Sequence, residues 1–434
     1  MQNNKFIMKP IFINITKLGA IRNSQIELKP LMIFSGESGL GKSYAAFLVH
    51  YVYQILTSDR LEQFFIDNNI DLRDIFEHKS SGNSILNISA KELFSWINKD
   101  AINYIGYLIG NENFNGDVEI NFPYQLEDFN FIYEDEIVGL DNHEDLFYKI
   151  ELGRFTYRIL SNSFQPSPEL FTTLIKAVLT EQIWGIHTSL KRCYLLPPSR
   201  GALMELTERT SFRSGMYEEF FKLKADLNRP LPKPTTPSQT ITDCLTEVNV
   251  GQLQQKEGRI YYRTQKGYEM PLTAAASSIK ELAPFTMLLN KFPVKGTSIL
   301  FEEPEAHLHP ERQVKIADLI TCAINNGCQM QITTHSDYLL KRINNLIKLH
   351  FLKTKIDSSK FHTLIKDYNI NEDCLINPEH VGAFLLRQDD AGHSTIVVQD
   401  ILADNEIPFE SFYSVIINDI ELSNEIRSMS TTKK

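Results

Sequence analysis

Eight consecutive residues near the N-terminus have the types and spacing of a loop that binds a polyphosphate. They are Gly36, Glu37, Ser38, Gly39, Leu40, Gly41, Lys42 and Ser43, which fit the pattern G-x-x-x-x-G-K-[ST] at every fixed position. Glycines let the main chain pass close to a polyphosphate, and the N–H groups of a following helix attract its negative charge. The pattern assigns Lys42 to the β and γ phosphates and Ser43 to Mg²⁺, and the predicted binding set extends to Tyr44.

The segments on either side of this loop are those that a phosphate-binding loop needs. LMIFS before it is a short, almost wholly apolar run, which is typical of a buried parallel strand. YAAFLVHYVYQIL after it predicts a buried helix. The alternative is a glycine turn with an ordinary surface lysine, and the strand–loop–helix context argues against it.

A second set of reactive side chains ends a predicted strand in the segment SILFEEPE, at residues 298–305. Carboxylates there suit a metal-dependent phosphoryl transfer, in which Glu302 contacts Mg²⁺ through water and Glu303 polarises the attacking water. Glu305 is open to a simpler interpretation, in which it only solvates the turn. A charged loop after a strand is the alternative for the whole segment, and the phosphate loop in the same chain weakens it.

A histidine ends the next predicted strand, in the segment QMQITTHS at residues 329–336. His335 could donate a hydrogen bond to the γ-phosphate and so sense its presence, although local hydrogen bonding is the alternative role. His307 and His309, in AHLHP, have no third ligand nearby in the sequence. We therefore expect their loop to meet a partner subunit and not to hold a structural metal.

Composition and charge restrict the class of protein. The chain has 434 residues, of which 42% are hydrophobic, and its length predicts roughly two or three domains. Its net charge of −10 argues against a uniformly basic nucleic-acid binder, while a local basic face stays possible. No segment is apolar enough to cross a bilayer, and the N-terminus lacks the layout of a signal peptide. We therefore expect a cytoplasmic protein with no membrane partner.

The cysteines are scattered along the chain and form no CxxC pair. They are Cys193, Cys244, Cys322, Cys328 and Cys374. An odd number without close pairs argues against a disulfide framework and favours a reducing compartment. The apolar surroundings of Cys322 and Cys328 predict buried structural thiols.

The elements that would position the reactive residues alternate between helix and strand from residue 272 onward, which predicts an α/β layered sheet. Four units follow from the pattern. Residues 1–60 carry the phosphate loop, and 61–190 form a mixed insertion. Residues 191–270 contain a helical arm, a proline-rich linker and a hairpin, and 271–434 carry the acidic strand end and His335.

Three motifs in this order resemble those of the ABC-type ATPases of the SMC, RecF and OLD group: GESGLGKS, ILFEEPEAHLHP and ITTHSDYLL. The resemblance is strongest to the short ATPases of bacterial anti-phage defence and OLD-like systems. The opening strands, LLPPSRGAL and EIPFESFYSVIINDI are similar too, so both ends of the chain are covered. The resemblance implies an α/β P-loop head of the ABC type, a layered mixed sheet flanked by helices, with a mixed, largely helical insertion.

The resemblance also implies ATP and Mg²⁺ as ligands, with two composite ATP sites in a head-to-tail homodimer. In such dimers, a signature helix of one subunit faces the γ-phosphate of the other. The matching segment is TAAASSIKEL at 273–282, where Ser277 would offer its hydroxyl and Ser278 replaces the glycine of the family. An ordinary helix start is the alternative. Glu302 stands where other ABC proteins carry aspartate, a replacement that is frequent in this group.

OLD-type nucleases carry a TOPRIM domain with an Asp-x-Asp pair, and no such pair follows His335. We therefore expect an ATP-hydrolysing dimeric switch, slow and regulated, that controls a separate nuclease or toxin in anti-phage defence. The main alternative is a DNA-repair or chromosome-maintenance ATPase of the RecF/SMC type that acts directly on DNA. A transporter subunit is disfavoured by the wide separation of the motifs, and a nucleotide-bound scaffold with scarcely any turnover is the non-enzymatic alternative.

Overall fold

Sixteen strands form three sheets in the described part of the chain. The computed structural model describes residues 10–70, 86–122, 129–140, 143–152, 155–160, 167–184, 190–206, 213–230, 237–249, 251–256, 259–404, 406–408 and 410–431. The strands are β1 (Phe12–Leu18), β2 (Ile21–Glu27), β3 (Leu31–Gly36), β4 (Leu86–Ile88), β5 (Gly116–Asn121), β6 (Phe129–Leu140), β7 (His143–Leu152), β8 (Phe155–Leu160), β9 (Arg192–Leu196), β10 (Gly251–Lys256), β11 (Arg259–Thr264), β12 (Glu269–Pro271), β13 (Thr297–Glu302), β14 (Gln329–Thr333), β15 (Val381–Gln388) and β16 (Ser394–Gln399).

The helices flank the largest sheet. They are α1 (Lys42–Thr57), α2 (Arg60–Asp67), α3 (Ala90–Ile109), α4 (Pro168–Trp184), α5 (Arg200–Glu205), α6 (Gly215–Asn228), α7 (Gln239–Asn249), α8 (Ser277–Lys291), α9 (Pro310–Asn325), α10 (Asp337–Lys353), α11 (Ser358–Asp367), α12 (Ile401–Asp404) and α13 (Glu410–Thr431). Short 3₁₀ turns occur at Leu272–Ala274, Glu372–Cys374 and Pro378–His380. No helix among these described residues is both long and apolar enough to span a membrane.

The largest sheet is mixed and has nine strands in the order β5-β1-β2-β16-β15-β3-β14-β13-β9. From β15 to β9 all neighbouring strands are parallel, whereas β5, β1 and β2 form an antiparallel edge. Parallel strands are buried on both faces, and β3 and β13 are accordingly buried at every position. The fold class predicted from the sequence, a layered mixed sheet flanked by helices, is confirmed.

The sheet separates two hydrophobic cores, and alternate residues of each central strand enter opposite cores. In β3, Met32 and Phe34 pack in the core that contains α1, whereas Leu31 and Ile33 pack in the core that contains α8, α9 and α10. Successive side chains of a strand point to opposite faces of a sheet. Leu300 in β13 faces the α1 core. Glu302 lies two residues further along the same strand, so its side chain points to the same face of the sheet, towards α1.

The middle of the chain contains more β-structure than the sequence predicted for a largely helical insertion. β5 pairs with β1 and so extends the main sheet, while β4, β6, β7 and β8 form a separate antiparallel sheet. β6 and β7 were missed because they carry many charges, such as the cross-strand pair of Glu134 and Lys149 at 2.7 Å. A strand whose charges pair across the sheet lacks the apolar alternation that identifies a half-buried strand.

Candidate functional site

The phosphate loop, residues 36–43, lies at the carboxyl end of β3. β14 pairs with β3 on one side and with β13 on the other, and all three strands are parallel. The residues that follow β13 and β14 therefore end at the same edge of the sheet as the loop. Ligands of open α/β sheets bind at this carboxyl edge.

Three glycines of the loop, Gly36, Gly39 and Gly41, have positive φ angles that other residues rarely adopt. Gly36 has φ +125°, and a Cβ atom there would lie 2.4 Å from the carbonyl oxygen of Leu386 in β15. Gly39 has φ +81°, and no atom lies within 4 Å of the place where its Cβ would be. Gly36 is thus required because any side chain there would collide with β15, whereas Gly39 has open space beside it. Glu37 and Ser38 are exposed between them.

Lys42 begins α1 and is only 7% exposed. Its Nζ donates hydrogen bonds to the carbonyl oxygens of Gly36, at 3.0 Å, and Glu37, at 2.8 Å. Burial lowers the pKa of Lys42, and the carboxylates of the acidic strand end oppose this shift. Those carboxylates belong to Glu303, Glu305 and Glu302. The fold therefore places the ammonium of the loop within electrostatic range of side chains that lie far along the sequence.

Glu302 is the most buried carboxylate of this group, with 3% exposure. The Ser43 hydroxyl is near enough to oppose the effect of burial on the pKa of Glu302, and the Oε1 atom of Glu302 has no hydrogen-bond partner among the described residues. Burial, as the largest cause, raises the pKa of Glu302 to about 7. A buried carboxylate oxygen beside a hydroxyl is a donor set that suits a hard cation such as Mg²⁺.

Glu302 should make the stability of the protein depend on pH in metal-free buffer. The folded protein holds its proton up to about pH 7, whereas the unfolded chain releases it near the ordinary pKa of 4.5. The free energy of unfolding is therefore highest below about pH 4.5 and falls by roughly 3 kcal/mol in total as pH rises through about 7. Glu302→Gln mimics the protonated acid, so its free energy of unfolding should exceed that of the wild type more at about pH 8 than at about pH 5.

Urea unfolding at both pH values measures this difference. Glu311→Gln is the matched control, because Glu311 is an exposed carboxylate in the first turn of α9. A Glu302→Gln effect of equal size at both pH values would contradict the raised pKa.

Glu303 follows Glu302 in a left-handed main-chain conformation, with φ +45°. Its N–H donates to the carbonyl oxygen of Thr333 at 3.0 Å, which fixes the turn against the end of β14. Its carboxylate is partly exposed and acts on the pKa of both Lys42 and His335. Glu303 is thus within electrostatic range of both the loop lysine and the histidine.

His335 is exposed at the end of β14, and its pKa is lowered, first by partial burial of the ring and then by Lys42. A lowered pKa favours the neutral ring, which has one N–H donor and one acceptor nitrogen. The fold brings His335 to the same edge as Lys42 and Glu303.

Glu305 has a larger structural role than solvation of the turn, which was the simpler interpretation from the sequence. Its Oε1 accepts hydrogen bonds from Thr334 Oγ1 at 2.9 Å and from the N–H of His335 at 2.7 Å. Burial raises the pKa of its carboxyl group. Glu305 therefore fastens the turn after β13 to the residues after β14. The sequence signal was a third carboxylate in EEPE, but its partners become neighbours only in the folded sheet.

Arg200 is a site residue that the sequence did not single out, although it lies in the segment LLPPSRGAL. It is fully buried, and its guanidinium donates to the carbonyl oxygens of Glu302 at 2.9 Å and Glu303 at 3.2 Å. It also donates to the carbonyl oxygen of Glu281 at 2.9 Å and lies 3.6 Å from the carboxylate of that residue. A buried arginine that binds the main chain of both glutamates holds the acidic turn in place.

The ring of Tyr44 packs edge-on against that of Phe114, with 5.3 Å between the ring centroids. His309 caps α9, because its Nδ1 accepts from the N–H of Glu311 at 3.4 Å. In the described part of the chain, neither His307 nor His309 belongs to a group of metal-ligating side chains.

Ser277 and Ser278 begin α8, which packs against α5 and α7 in the core that does not contain α1. Ser277 is exposed, and the preceding residue, Ala276, provides no side-chain cap for the helix. Among the described residues, no hydrogen bond or ion pair joins either serine to the phosphate loop of the same chain. The contribution of Ser277 and Ser278 to the ATP site of a second subunit therefore stays a prediction.

Residues 201–340 match the family described as the AAA ATPase domain. The matched segment contains β13, β14, the acidic strand end and His335, and it begins after the phosphate loop. No curated protein sequence matches the chain.

Three solved structures that resemble the chain are SMC heads. The SMC head domain from Thermotoga maritima covers 91% of this chain and 100% of its own, with 9% identity and a TM-score of 0.34. An SmcHead bound to the C-winged helix domain of ScpA covers 91% and 98%, with 10% identity and a TM-score of 0.40. The Smc head domain with an extended coiled coil derived from Pyrococcus furiosus, bound to the C-terminal domain of ScpA, covers 96% and 99%, with 10% identity and a TM-score of 0.35.

These TM-scores are too low to support a conclusion, and the family match covers about a third of the chain. The match includes the strands β13 and β14, and the sheet sets the phosphate loop beside them. The chain thus combines a mixed sheet, a phosphate-loop sequence at the carboxyl edge of that sheet, and a segment similar to an ATPase domain.

Proposed function

We propose that the chain binds ATP with Mg²⁺ at the shared carboxyl edge of β3, β14 and β13 and hydrolyses it to ADP and phosphate. One observation carries the proposal: β3, β14 and β13 are adjacent parallel strands, so the phosphate loop with Lys42, the pair Glu302 and Glu303, and His335 come from three distant segments to this edge. Shifted pKa values in one cluster of charged side chains are typical of functional sites.

Each residue has a role that its surroundings support. The N–H groups at the start of α1 and the ammonium of Lys42 bind the triphosphate. Ser43 and Glu302 hold Mg²⁺, which neutralises charge on the phosphate oxygens when bound. Glu303, partly exposed and with no hydrogen bond to its carboxylate among the described residues, orients the attacking water and accepts its proton. His335, as a neutral ring, donates a hydrogen bond to the γ-phosphate.

The motif resemblance further supports a head-to-tail homodimer with two composite sites. Ser277 is exposed at an uncapped helix start, so its hydroxyl and the N–H groups beside it are available to a second subunit. The N-terminus of a helix attracts anions such as a γ-phosphate. In this arrangement, Ser277 and Ser278 of each chain complete the ATP site of the other.

Ser277→Arg tests the dimer, because a long charged side chain at this place should prevent the second subunit from closing. In the presence of Mg²⁺ and ATP, light scattering should show a dimer for the wild type and a monomer for Ser277→Arg. Ser359→Arg is the matched control, since Ser359 is an exposed serine in the first turn of α11. A Ser277→Arg protein that still dimerises with ATP would exclude this interface.

The biological role that we propose is a slow, regulated switch in the cytoplasm, which controls a separate nuclease or toxin in anti-phage defence. Closing and opening of the dimer with ATP would change how the effector is held. The proposal is supported by the motif resemblance. Direct action on DNA, as in RecF and SMC proteins, is the second candidate, and the net charge of −10 weighs against it.

DNA titration separates the two roles. The switch predicts an ATPase rate that double-stranded DNA leaves unchanged at low salt. A DNA-acting ATPase predicts stimulation by DNA that disappears steeply as salt concentration rises.

A further inference from the structure

Three of the scattered cysteines meet in the fold. Cys244 comes from α7, Cys322 from α9 and Cys374 from the 3₁₀ turn at Glu372–Cys374. Their Sγ atoms all lie within 4.8 Å of one another, and those of Cys244 and Cys374 are 3.6 Å apart. None of the three residues is more than 6% exposed. Within the described ranges, they are the one group of three or more His, Cys, Asp or Glu side chains close enough to hold a metal ion.

The sulfur spacing fits a shared cation. A Zn–S bond is about 2.3 Å long, so three thiolates around one ion lie roughly 3.8–4.0 Å apart. The observed separations, from 3.6 Å to at most 4.8 Å, bracket this value and require only small side-chain movements. The cluster lies in the core on the α8–α10 face of the sheet, away from the α1 core that adjoins the phosphate loop.

The carboxylates near the cluster already have partners, which leaves sulfur as the available ligand. Asp318 forms two hydrogen bonds with the guanidinium of Arg342, at 2.6 and 2.9 Å. Asp373 accepts from Thr240 Oγ1 at 2.5 Å. Three sulfur ligands in an apolar core select soft or borderline cations over Mg²⁺ or Ca²⁺.

The main chain around the cluster is held rigidly. Asn325, at the end of α9, donates through Nδ2 to the carbonyl oxygens of Asp373 at 2.7 Å and Leu375 at 2.8 Å. These bonds fix the turn that carries Cys374 against the helix that carries Cys322. Preorganised ligands lower the cost of forming a metal site.

We propose that Cys244, Cys322 and Cys374 form a structural site for a thiophilic d¹⁰ cation, Zn²⁺ or Cu⁺. Each thiol that becomes a ligand releases its proton to solvent, so no oxidant or reductant is needed. The ion would join α7, α9 and the 372–374 turn. α9 begins at Pro310, shortly after the acidic turn, so the ion would also anchor the helix that follows this turn.

Metal analysis of the full chain, purified under reducing conditions without added metal or chelator, tests the site. Elemental analysis by inductively coupled plasma mass spectrometry should find about one Zn or Cu ion per chain, and the identity of the metal decides between the two cations. Cys244→Ser, Cys322→Ser and Cys374→Ser should each lose it. Cys328→Ser should retain it, because Cys328 is also fully buried but its thiol donates to the carbonyl oxygen of Thr297 at 3.3 Å.

Co²⁺ binding to the wild-type chain gives a second readout that does not depend on the folding of any variant. Addition of Co²⁺ to chelator-treated, reduced protein should produce the sulfur-to-cobalt charge-transfer absorption of a thiolate site. Metal that all three serine variants retain would overturn the proposal. So would a wild-type chain that contains no zinc or copper and shows no charge-transfer absorption with Co²⁺, or one whose thiols form a disulfide between two of the three cysteines.

Discussion

Lys42→Ala should weaken ATP binding by about 10- to 100-fold and lower the rate of hydrolysis at saturating ATP by about 10²- to 10³-fold. The ammonium of Lys42 donates to two carbonyl oxygens of its own loop and lies near three carboxylates. The same donors suit the phosphate oxygens, and hydrogen bonds to charged groups contribute about 1.5–3 kcal/mol each. Calorimetric titration with Mg²⁺ and ATP measures the affinity, and phosphate release measures the rate.

Lys291→Ala is the matched control for Lys42→Ala. The Lys291 ammonium also donates to main-chain carbonyl oxygens, those of Leu227 and Arg229, but at the end of α8. Its loss should leave ATP affinity and turnover unchanged. A Lys42→Ala protein that is folded by circular dichroism and binds ATP like the wild type would rule out the phosphate-loop assignment.

Glu303→Gln should lower the rate of ATP hydrolysis by about 10²- to 10⁴-fold, because glutamine cannot accept the proton of the attacking water. ATP affinity should remain near that of the wild type, since the side chain of Glu303 is not assigned to the phosphates or to Mg²⁺. The variant should therefore accumulate in the ATP-bound dimer. Phosphate release and light scattering, measured on the same preparation, check both outcomes.

Glu311→Gln controls for the loss of one negative charge near the site. Glu311 is exposed in the first turn of α9, a few residues after the acidic turn, and its replacement should change neither rate nor dimer content. Hydrolysis by Glu303→Gln at the wild-type rate would remove Glu303 as the general base. A wild type with no measurable hydrolysis would instead favour the nucleotide-bound scaffold.

The parts of the site that were predictable from sequence are those encoded by neighbouring residues. The spacing of Gly36, Gly41 and Lys42 fixes a local loop, and an apolar run ending in Glu302 and Glu303 identifies the end of a buried strand. Local spacing is informative because main-chain geometry near a strand end or a helix start depends on few residues.

The residues that sequence analysis missed act through contacts between distant segments. Arg200 binds the carbonyl oxygen of Glu302, 102 positions away, and a single arginine in PPSRG gives no local signal of this contact. Glu305 reaches His335, 30 positions away, only because β13 and β14 are adjacent in the sheet. The same reason concealed the cysteine cluster, in which Cys244 and Cys374 are 130 positions apart.

The sequence predicts a layered mixed sheet but not the order of its strands. Alternating helices and buried strands after residue 272 indicate a layered sheet, whereas the position of β14 between β3 and β13 depends on how the helices pack. This order brings His335 beside the phosphate loop. Pairing of β5 with β1 has no local signal either, since the two strands are joined only by long-range hydrogen bonds.

A crystal structure of Glu303→Gln with Mg²⁺ and ATP tests the central claim most directly. We expect the triphosphate to lie against the N–H groups of residues 39–44 and the ammonium of Lys42, with Mg²⁺ bound by Ser43 and facing Glu302. A nucleotide bound elsewhere on the chain, or a triphosphate out of reach of Lys42 with Mg²⁺ away from Ser43 and Glu302, would contradict the assignment.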